Sequence, residues 1–453
     1  MKRSLSVPIA IGIVGVLVVS NTANAQAVLD NYIKKGLSTN LALQQKTFDL
    51  QKAQLDLQRA KTLFYPQAGI ASQYTLANGG RKQDLPIGDM LNGVYSTLNQ
   101  LTGQSKFPQI ENQTINFLPN NFHDTRVEVS MPIVNTDIYY NRAIKKELIQ
   151  TQQAEIDIYK RELVKNIKEA WYQYLQAGKA VTIYTNALAL ASENLRVSEK
   201  LMQNSMGTKE SVLRARAQVS QVRASLIAAG NQQQNAIAYF NFLLNQSLDT
   251  PVTADTTVLE QVNTSISPAL EVPRRREELA KLQSAQRAVT TGIKMNRSYI
   301  VPKLNAFYNI GFQGFGFHFN SDQFYQLGGL QLKWDLFKAN DNKYKIRQSQ
   351  LDLQALETQY KDVEQQLSLQ VRTSLNNYRS AIQTLQAHAD EVQSTQETYR
   401  FAERRFREGQ ALQIELIDAR TQLTNAQLNY SLAQLAVLTR AAELERVTAS
   451  YTF

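Results

Sequence analysis

The chain has 453 residues, 49 Lys and Arg against 39 Asp and Glu for a formal net charge of +10, and no cysteine. A hydrophobic content of 43% excludes global disorder. The missing cysteines exclude disulfides, thiolate metal sites, a cysteine nucleophile and a lipid-bearing cysteine at a mature N-terminus. The basic surplus does not mark a nucleic-acid partner, because Lys and Arg are interleaved with Glu and Asp along segments with helical periodicity, as on solvated helix faces.

Lys2 and Arg3, the 13-residue apolar run 7–19 and Ala23-Asn24-Ala25 before Gln26 form a secretory signal peptide, expected over 1–25. Its removal lowers the net charge to +8 (10 − 2). The run is too short to span a bilayer. No later apolar run reaches 18 residues, so an exported chain that enters a membrane must do so through strands.

Residues 28–63 read as one helix of about 36 residues, with Leu41, Phe48, Leu55 and Leu57 among its apolar positions, stopping before Pro66. The period then becomes two. Over 67–76, Ala68, Ile70, Tyr74 and Leu76 oppose Gln67, Gly69, Gln73 and Thr75. Three further segments alternate in the same way: 126–131 (Val127, Val129, Met131), 304–313 (Leu304, Ala306, Tyr308, Ile310, Phe312) and 330–336 (Leu330, Leu332, Trp334, Leu336). Phe307 interrupts the polar side of the third. Such alternation suits a barrel with lipid outside and water inside. Four strands cannot close one, since the smallest spanning barrels have eight, and an open edge in lipid is not tolerated. Several chains are therefore needed. Residues 78–123, with an amphipathic insert near 87–101, and the short 314–324 are expected as outward loops.

The stretches 136–204 and 338–407 lack proline, and each predicts a helix roughly 100 Å long at about 1.5 Å per residue. Gly207 and Gly409 follow them, placed where a left-handed residue ends a helix, and shorter helices return over 211–244 and 412–449. Leu416, Leu423, Tyr430 and Val437 form one heptad row, and Ala419, Ala426 and Ala433 a second. Val212, Val219 and Leu226 beside Ala215, Val222, Ala229 and Ala236 answer in the first copy, which predicts close coiled-coil packing. The two halves are copies. Glu193, Arg196, Glu199, Ala215, Arg216 and Gln218 return 204 residues later as Glu397, Arg400, Glu403, Ala419, Arg420 and Gln422. The expected division is a first repeat over 26–250, a linker over 251–273 containing Pro251, Pro268 and Pro273, and a second repeat over 274–453.

The order helix, strand, loop, strand, long helix, glycine turn, shorter helix, stated twice, resembles the TolC family of outer-membrane efflux channels. The local motifs are Tyr65-Pro66 and Val301-Pro302 opening strands, Trp334-Asp335-Leu336-Phe337 closing one, and Gly409 followed by Ile417-Asp418-Ala419-Arg420. The resemblance implies a mainly α fold with a membrane β-barrel portion. Tandem long helical hairpins would form an α-helical barrel, and four strands per chain a twelve-stranded barrel in a homotrimer. It implies a cell outer-membrane location with a helical tunnel in the periplasm, serving as a passive exit duct for small molecules. Its implied partners are outer-membrane lipid, a periplasmic adaptor and an inner-membrane RND, ABC or MFS transporter. A duct for type I protein secretion is the alternative.

The same resemblance implies a periplasmic gate at Glu415 and Asp418. The corresponding first-copy positions hold Ser211 and Arg214, so Arg214 pairing with Asp418 across the tip is expected. Gly207, Thr208, Gly409 and Gln410 are the expected adaptor-docking tips. Catalysis, metals and cofactors are not expected: His123 and His318 fall in expected outer loops, His388 on a long helix, and no phosphate-loop or nucleophile motif occurs.

Overall fold

The computed structural model describes residues 19–253 and 276–453, with side chains from residue 28 onward. The leader expected over 1–25 and the linker expected over 251–273 lie mostly outside the described residues. The elements run α1 (Val19–Thr39), α2 (Leu41–Thr62), β1 (Gln67–Thr75), β2 (Lys82–Leu85), α3 (Ile87–Thr102), β3 (Gln113–Asn116), β4 (Phe122–Val134), α4 (Thr136–Gln203) and α5 (Lys209–Leu243). The second half continues with α6 (Glu277–Arg297), β5 (Lys303–Phe315), β6 (Phe324–Lys333), α7 (Asp341–Arg407) and α8 (Gln413–Thr448). The chain forms two units. One comprises Met1–Gln54, Glu147–Arg287 and Leu353–Phe453, and the other Leu55–Lys146 and Ala288–Asp352.

The second unit holds an antiparallel sheet in the order β1-β4-β5-β6, which leaves β1 and β6 as open edges. Directly opposed residues in such a sheet share a face. On one face Ile70 stands opposite Val127, Val127 opposite Ile310, Val129 opposite Tyr308, and Ala306 opposite Leu330. On the other, Glu128 opposes Asn309, Asp124 opposes Gln313, and Asn305 opposes Gln331. The apolar face is bare in the single chain, with Ile70 80% and Leu330 66% exposed. Phe307, the exception on the polar face, stands opposite Gly329, where an added Cβ would come within 3.0 Å of its ring. The glycine makes room for the aromatic ring.

Three sequence expectations are corrected. The first helix is interrupted at Asn40, whose Oδ1 accepts from Leu43 N at 3.1 Å and caps α2 while its Nδ2 donates to the Leu243 carbonyl at 3.1 Å. A side chain that bonds its own backbone competes with the helix there. The fourth strand covers Phe324–Lys333 instead of 330–336. Gly328 and Gly329 hide the alternation in its first half, while Trp334 lies beyond its end and donates Nε1 to the Ile300 carbonyl at 3.0 Å. His123 is no loop residue: it lies on β4, fully buried, with Nε2 2.8 Å from Gln323 Oε1.

The first unit has an apolar core in which Ile33, Leu163, Ile167, Trp171, Leu175, Phe240 and Leu244 are almost completely buried. α1 approaches α4 so closely that a Cβ at Gly36 would lie 2.4 Å from Ile167 Cδ1. The heptad reading holds: Val212, Ala215, Val219 and Val222 are buried on α5, and Leu416, Ala419, Ala426, Ala433 and Val437 on α8. Charges finish the packing. Arg161 pairs with Glu277 at 2.5 Å, Lys168 with Glu445 at 2.5 Å, and Arg446 with Glu443 at 2.9 Å. Arg276, 1% exposed, pairs with Glu278 at 2.7 Å and donates to the Val447 carbonyl. Burial raises the Glu278 pKa, but the hydrogen bond and charge of Arg276 outweigh it and hold the carboxyl below its ordinary value.

Candidate functional site: the hairpin tips and the seam behind them

Both hairpins turn by one mechanism. At the end of α4, Met206 N donates to Leu201 O at 2.8 Å and Ser205 N to Met202 O at 3.0 Å. At the end of α7, Gln410 N donates to Arg405 O at 2.8 Å and Gly409 N to Phe406 O at 3.1 Å. These paired bonds close a helix around a left-handed residue and satisfy its last carbonyls. In the second hairpin that residue is Gly409, as expected, with φ 72°. In the first it is Ser205, with φ 59°, and Gly207 is not left-handed. Gly207 is needed for space: a Cβ there would meet Met202 N at 3.0 Å and Leu201 Cβ at 3.1 Å.

The returning helices start differently. Thr208 Oγ1 accepts from Ser211 N at 3.1 Å, an ordinary side-chain cap for α5. Its counterpart Leu412 offers no acceptor, so only half of a capping box is present: Glu415 Oε1 accepts from Leu412 N at 3.2 Å. Glu415 also faces Arg405 at 3.5 Å, and Arg405 Nη2 donates to the Gln410 carbonyl at 3.1 Å. Met206 and Leu412 are 77% and 68% exposed, so the tips carry apolar side chains besides the residues singled out in the sequence.

Behind the tips, α8 of the second hairpin lies on α4 of the first. Gln413 Nε2 donates to Ser198 Oγ at 2.7 Å, and Arg420 Nη2 to the Ala187 carbonyl at 3.1 Å. By the repeat, Arg420 corresponds to Arg216, which bridges Glu199 at 3.1 Å on the surface of its own hairpin. In the second hairpin Glu403 instead pairs with Arg407 at 2.7 Å, and Arg420 turns to the neighbouring helix. There it borders a groove of about 490 Å³ lined by Ala187, Leu190, Tyr399, Leu423 and Gln427. Burial lowers the Arg420 pKa, against the raising effect of Tyr399 and Glu403.

In sequence, residues 271–450 match the model of the family described as outer membrane efflux protein. The chain is 25% identical over 278 residues to the "Probable efflux pump outer membrane protein TtgC" of Pseudomonas putida, covering 58% of this chain and 56% of that protein. The chain thus matches little more than half the length of this curated relative. In structure it is similar to the CmeC outer-membrane channel of Campylobacter jejuni, with TM-score 0.72, 12% identity, and 98% of this chain and 94% of that one covered. The MtrE outer-membrane channel of Neisseria gonorrhoeae gives TM-score 0.73, 15% identity, and 93% and 88% coverage. The fold is that of these outer-membrane channels.

On this fold Glu415 and Asp418 lie one turn apart near the second tip, both exposed. Within the chain the expected gate residues have local partners. Arg214 pairs with Glu210 at 2.6 Å, and Asp418 accepts from Gln422 Nε2 at 2.9 Å. Glu415 belongs to the cap of α8. Gly409 and Gln410 are exposed at one tip and Thr208 at the other, while Gly207 is half-buried. The contacts of Arg420 and Gln413 were missed because they depend on packing between hairpins, and those of Arg405 because they depend on how the second hairpin turns. The 204-residue register does show that Arg216 and Arg420 are equivalent, but says nothing of which partner each selects.

Proposed function

We propose that the chain is the outer-membrane duct of a tripartite efflux system, a homotrimer through which small molecules leave the cell. The observation that carries this reading is the four-stranded sheet, apolar on one face, polar on the other and open at both edges. In lipid those edges must be paired. The strands alternate in direction, so β6 of one copy meets β1 of the next antiparallel and three copies close twelve strands. The apolar face then meets outer-membrane lipid and the polar face a wet lumen. The first repeat (26–250) and the second repeat (274–453), joined by the linker (251–273), would together supply one third of a shared helical tunnel in the periplasm. Gly207, Thr208, Gly409 and Gln410 would meet the periplasmic adaptor, and Glu415, Asp418 and Arg214 would form the gate. The duct is passive, with energy supplied by an inner-membrane RND, ABC or MFS transporter. TtgC and the P. putida "Antibiotic efflux pump outer membrane protein ArpC" carry names that favour small-molecule efflux over protein secretion.

Deleting the gene in its host and measuring retention of a panel of dyes and antibiotics tests the reading. Increased retention, restored by the intact gene, is expected. Unchanged retention together with a folded monomer in detergent would overturn it.

A further inference from the structure

The contacts between elements are of two kinds, those within a repeat and those between the two repeats of the chain. Within the repeats, β1 pairs with β4 and β5 with β6. Likewise α2 meets α4 through Asp56 and Lys145 at 2.8 Å, and α6 meets α7 through Gln283 and Tyr360 at 3.3 Å. Between the repeats, β4 pairs with β5, and α4 meets α6 through Glu147 and Arg287 at 2.7 Å and Glu155 and Lys281 at 2.5 Å. The helices thus follow one another as the strands do, α2-α4-α6-α7 as β1-β4-β5-β6. β1 and α2 end the two rows on one side, β6 and α7 on the other.

The repeat relates these contacts by fixed offsets. Leu41 and Glu277 open α2 and α6, Gln67 and Lys303 open β1 and β5, and each pair is 236 residues apart. The long helices are 204 apart, and Ser130 and Lys333, which stand opposite Gln67 and Lys303, are 203 apart. One side of α2 is bare: Leu41, Phe48 and Leu55, seven residues apart, are 55%, 55% and 57% exposed. The counterparts Glu277 and Ser284 lie on the side of α6 that meets α4. Glu277 pairs with Arg161 at 2.5 Å, and the buried Ser284 accepts from Arg287 Nη2 at 2.8 Å beside Glu147. On α7, Leu351 is the counterpart of Glu147 and is 50% exposed.

We propose that each copy joins the next as the first repeat of the chain joins its second, with β6 and α7 of one copy in the places of β4 and α4 against β1 and α2 of the next. The proposal rests on the trimeric barrel above, in which one head-to-tail contact is used three times. Shifting the β4–β5 register by the offsets sets Leu330 opposite Tyr74, Gln331 opposite Gln73 and Leu332 opposite Ser72. Leu330 and Tyr74 then share the apolar face, and Gln331 and Gln73 the polar one. A slip of one residue would set each apolar side chain opposite the polar face. Shifting the α4–α6 contacts sets Leu351 opposite Gln51, between Phe48 and Leu55, and Gln365 opposite Leu41. Where the repeats meet through ions inside the chain, the copies meet through apolar side chains, and the bare row on α2 is covered by the next copy's α7.

The chain has no native cysteine, so disulfides can read the register. Gln73→Cys/Gln331→Cys protein, oxidised in outer membranes, should run as a covalent trimer on a non-reducing gel, because directly opposed side chains lie within disulfide reach. Ala71→Cys/Gln331→Cys and Thr75→Cys/Gln331→Cys, each two residues out of register on the same face, should stay single chains. Leu351→Glu should lower the temperature at which the trimer dissociates in detergent. Adding Gln51→Arg should restore most of that loss, by making between copies the pair that Glu147 and Arg287 make within one. In a trimer of normal mass, no linking at Gln73, or equal linking at all three positions, would overturn the register and leave the duct intact. A Leu351→Glu trimer as stable as the parent, or one that Gln51→Arg does not rescue, would overturn the helical contact. A monomeric parent protein would overturn the trimeric duct, and this interface with it.

Discussion

Ser205 and Gly409 hold the same place in the two hairpins, 204 residues apart, and both turn the chain through the left-handed region, at φ 59° and 72°. The hydrogen bonds around them match residue for residue, so the duplicated turn is kept although the residue best suited to it is kept once. A side chain in this region costs about 1 kcal/mol, which glycine avoids. Ser205→Gly should therefore stabilise the protein by about 1 kcal/mol and Gly409→Ser destabilise it by a similar amount, read from thermal unfolding followed by circular dichroism. Gly207→Ala should destabilise through crowding at Met202, with no relief from Ser205→Gly. A neutral Gly409→Ser would mean the turn rearranges.

The duplication, the heptad seams and the two faces of the sheet were legible because each rests on a period that one face imposes on the sequence. The turn at Ser205 was not, since Gly207 two residues on drew the assignment and only the register of the repeat points to Ser205. The start of β6 was hidden because glycines at 328 and 329 have no side chain with which to show alternation. Of the candidate gate, the sequence located Glu415 and Asp418 but not the use of Glu415 as a cap, which follows from Leu412 having no acceptor where Thr208 has one.

Among the described residues of the first unit Arg276 is the most deeply buried charge, and its removal would strand Glu278. Arg276→Ala should cost about 3–5 kcal/mol, as for any buried pair broken from one side, seen as a lowered unfolding temperature in detergent. The sign with pH follows from the carboxyls. Glu278 and Glu443 are held below the ordinary 4.5 by Arg276 and by Arg446, against burial. Their contribution is complete above that value and is lost as pH falls through their folded-state range. Glu169 acts in the opposite sense, because burial raises its pKa and its ionisation on raising the pH weakens the fold. Stability measured from neutral pH downward should therefore fall steeply below about pH 4.5 in the parent. In Arg276→Ala the acid-dependent part should be smaller.

Arg216 and Arg420 allow one residue type to be compared in two settings. Arg216 makes an exposed ion pair, worth at most about 1 kcal/mol. Arg420 bonds a carbonyl on the facing hairpin, and a charged hydrogen bond of that kind contributes about 1.5–3 kcal/mol. Arg420→Ala should accelerate amide exchange along the first turns of α8 and around Ala187, whereas Arg216→Ala should leave both unchanged. Equal effects would show that Arg420 does not tie the hairpins together.

The gate prediction combines the cap with the charge. Arg214–Glu210 and Asp418–Gln422 are exposed contacts within one helix each, worth about 0.3–0.5 kcal/mol, so in the proposed trimer they would be readily exchanged for an Arg214–Asp418 pair across the tip. Breaking that pair leaves one charge uncompensated. Arg214→Ala and Asp418→Ala should then each raise single-channel conductance in planar bilayers, with the double variant adding little. Glu415 must be tested by Gln as well as Ala. Glu415→Gln removes the charge and keeps an acceptor for Leu412 N, so it should change cation selectivity at normal stability. Glu415→Ala loses the cap too and should cost about a further 1 kcal/mol. If the Arg214, Asp418 and Glu415→Gln variants conduct and select like the parent, these residues are ordinary surface charges and the narrowest part of the duct lies elsewhere.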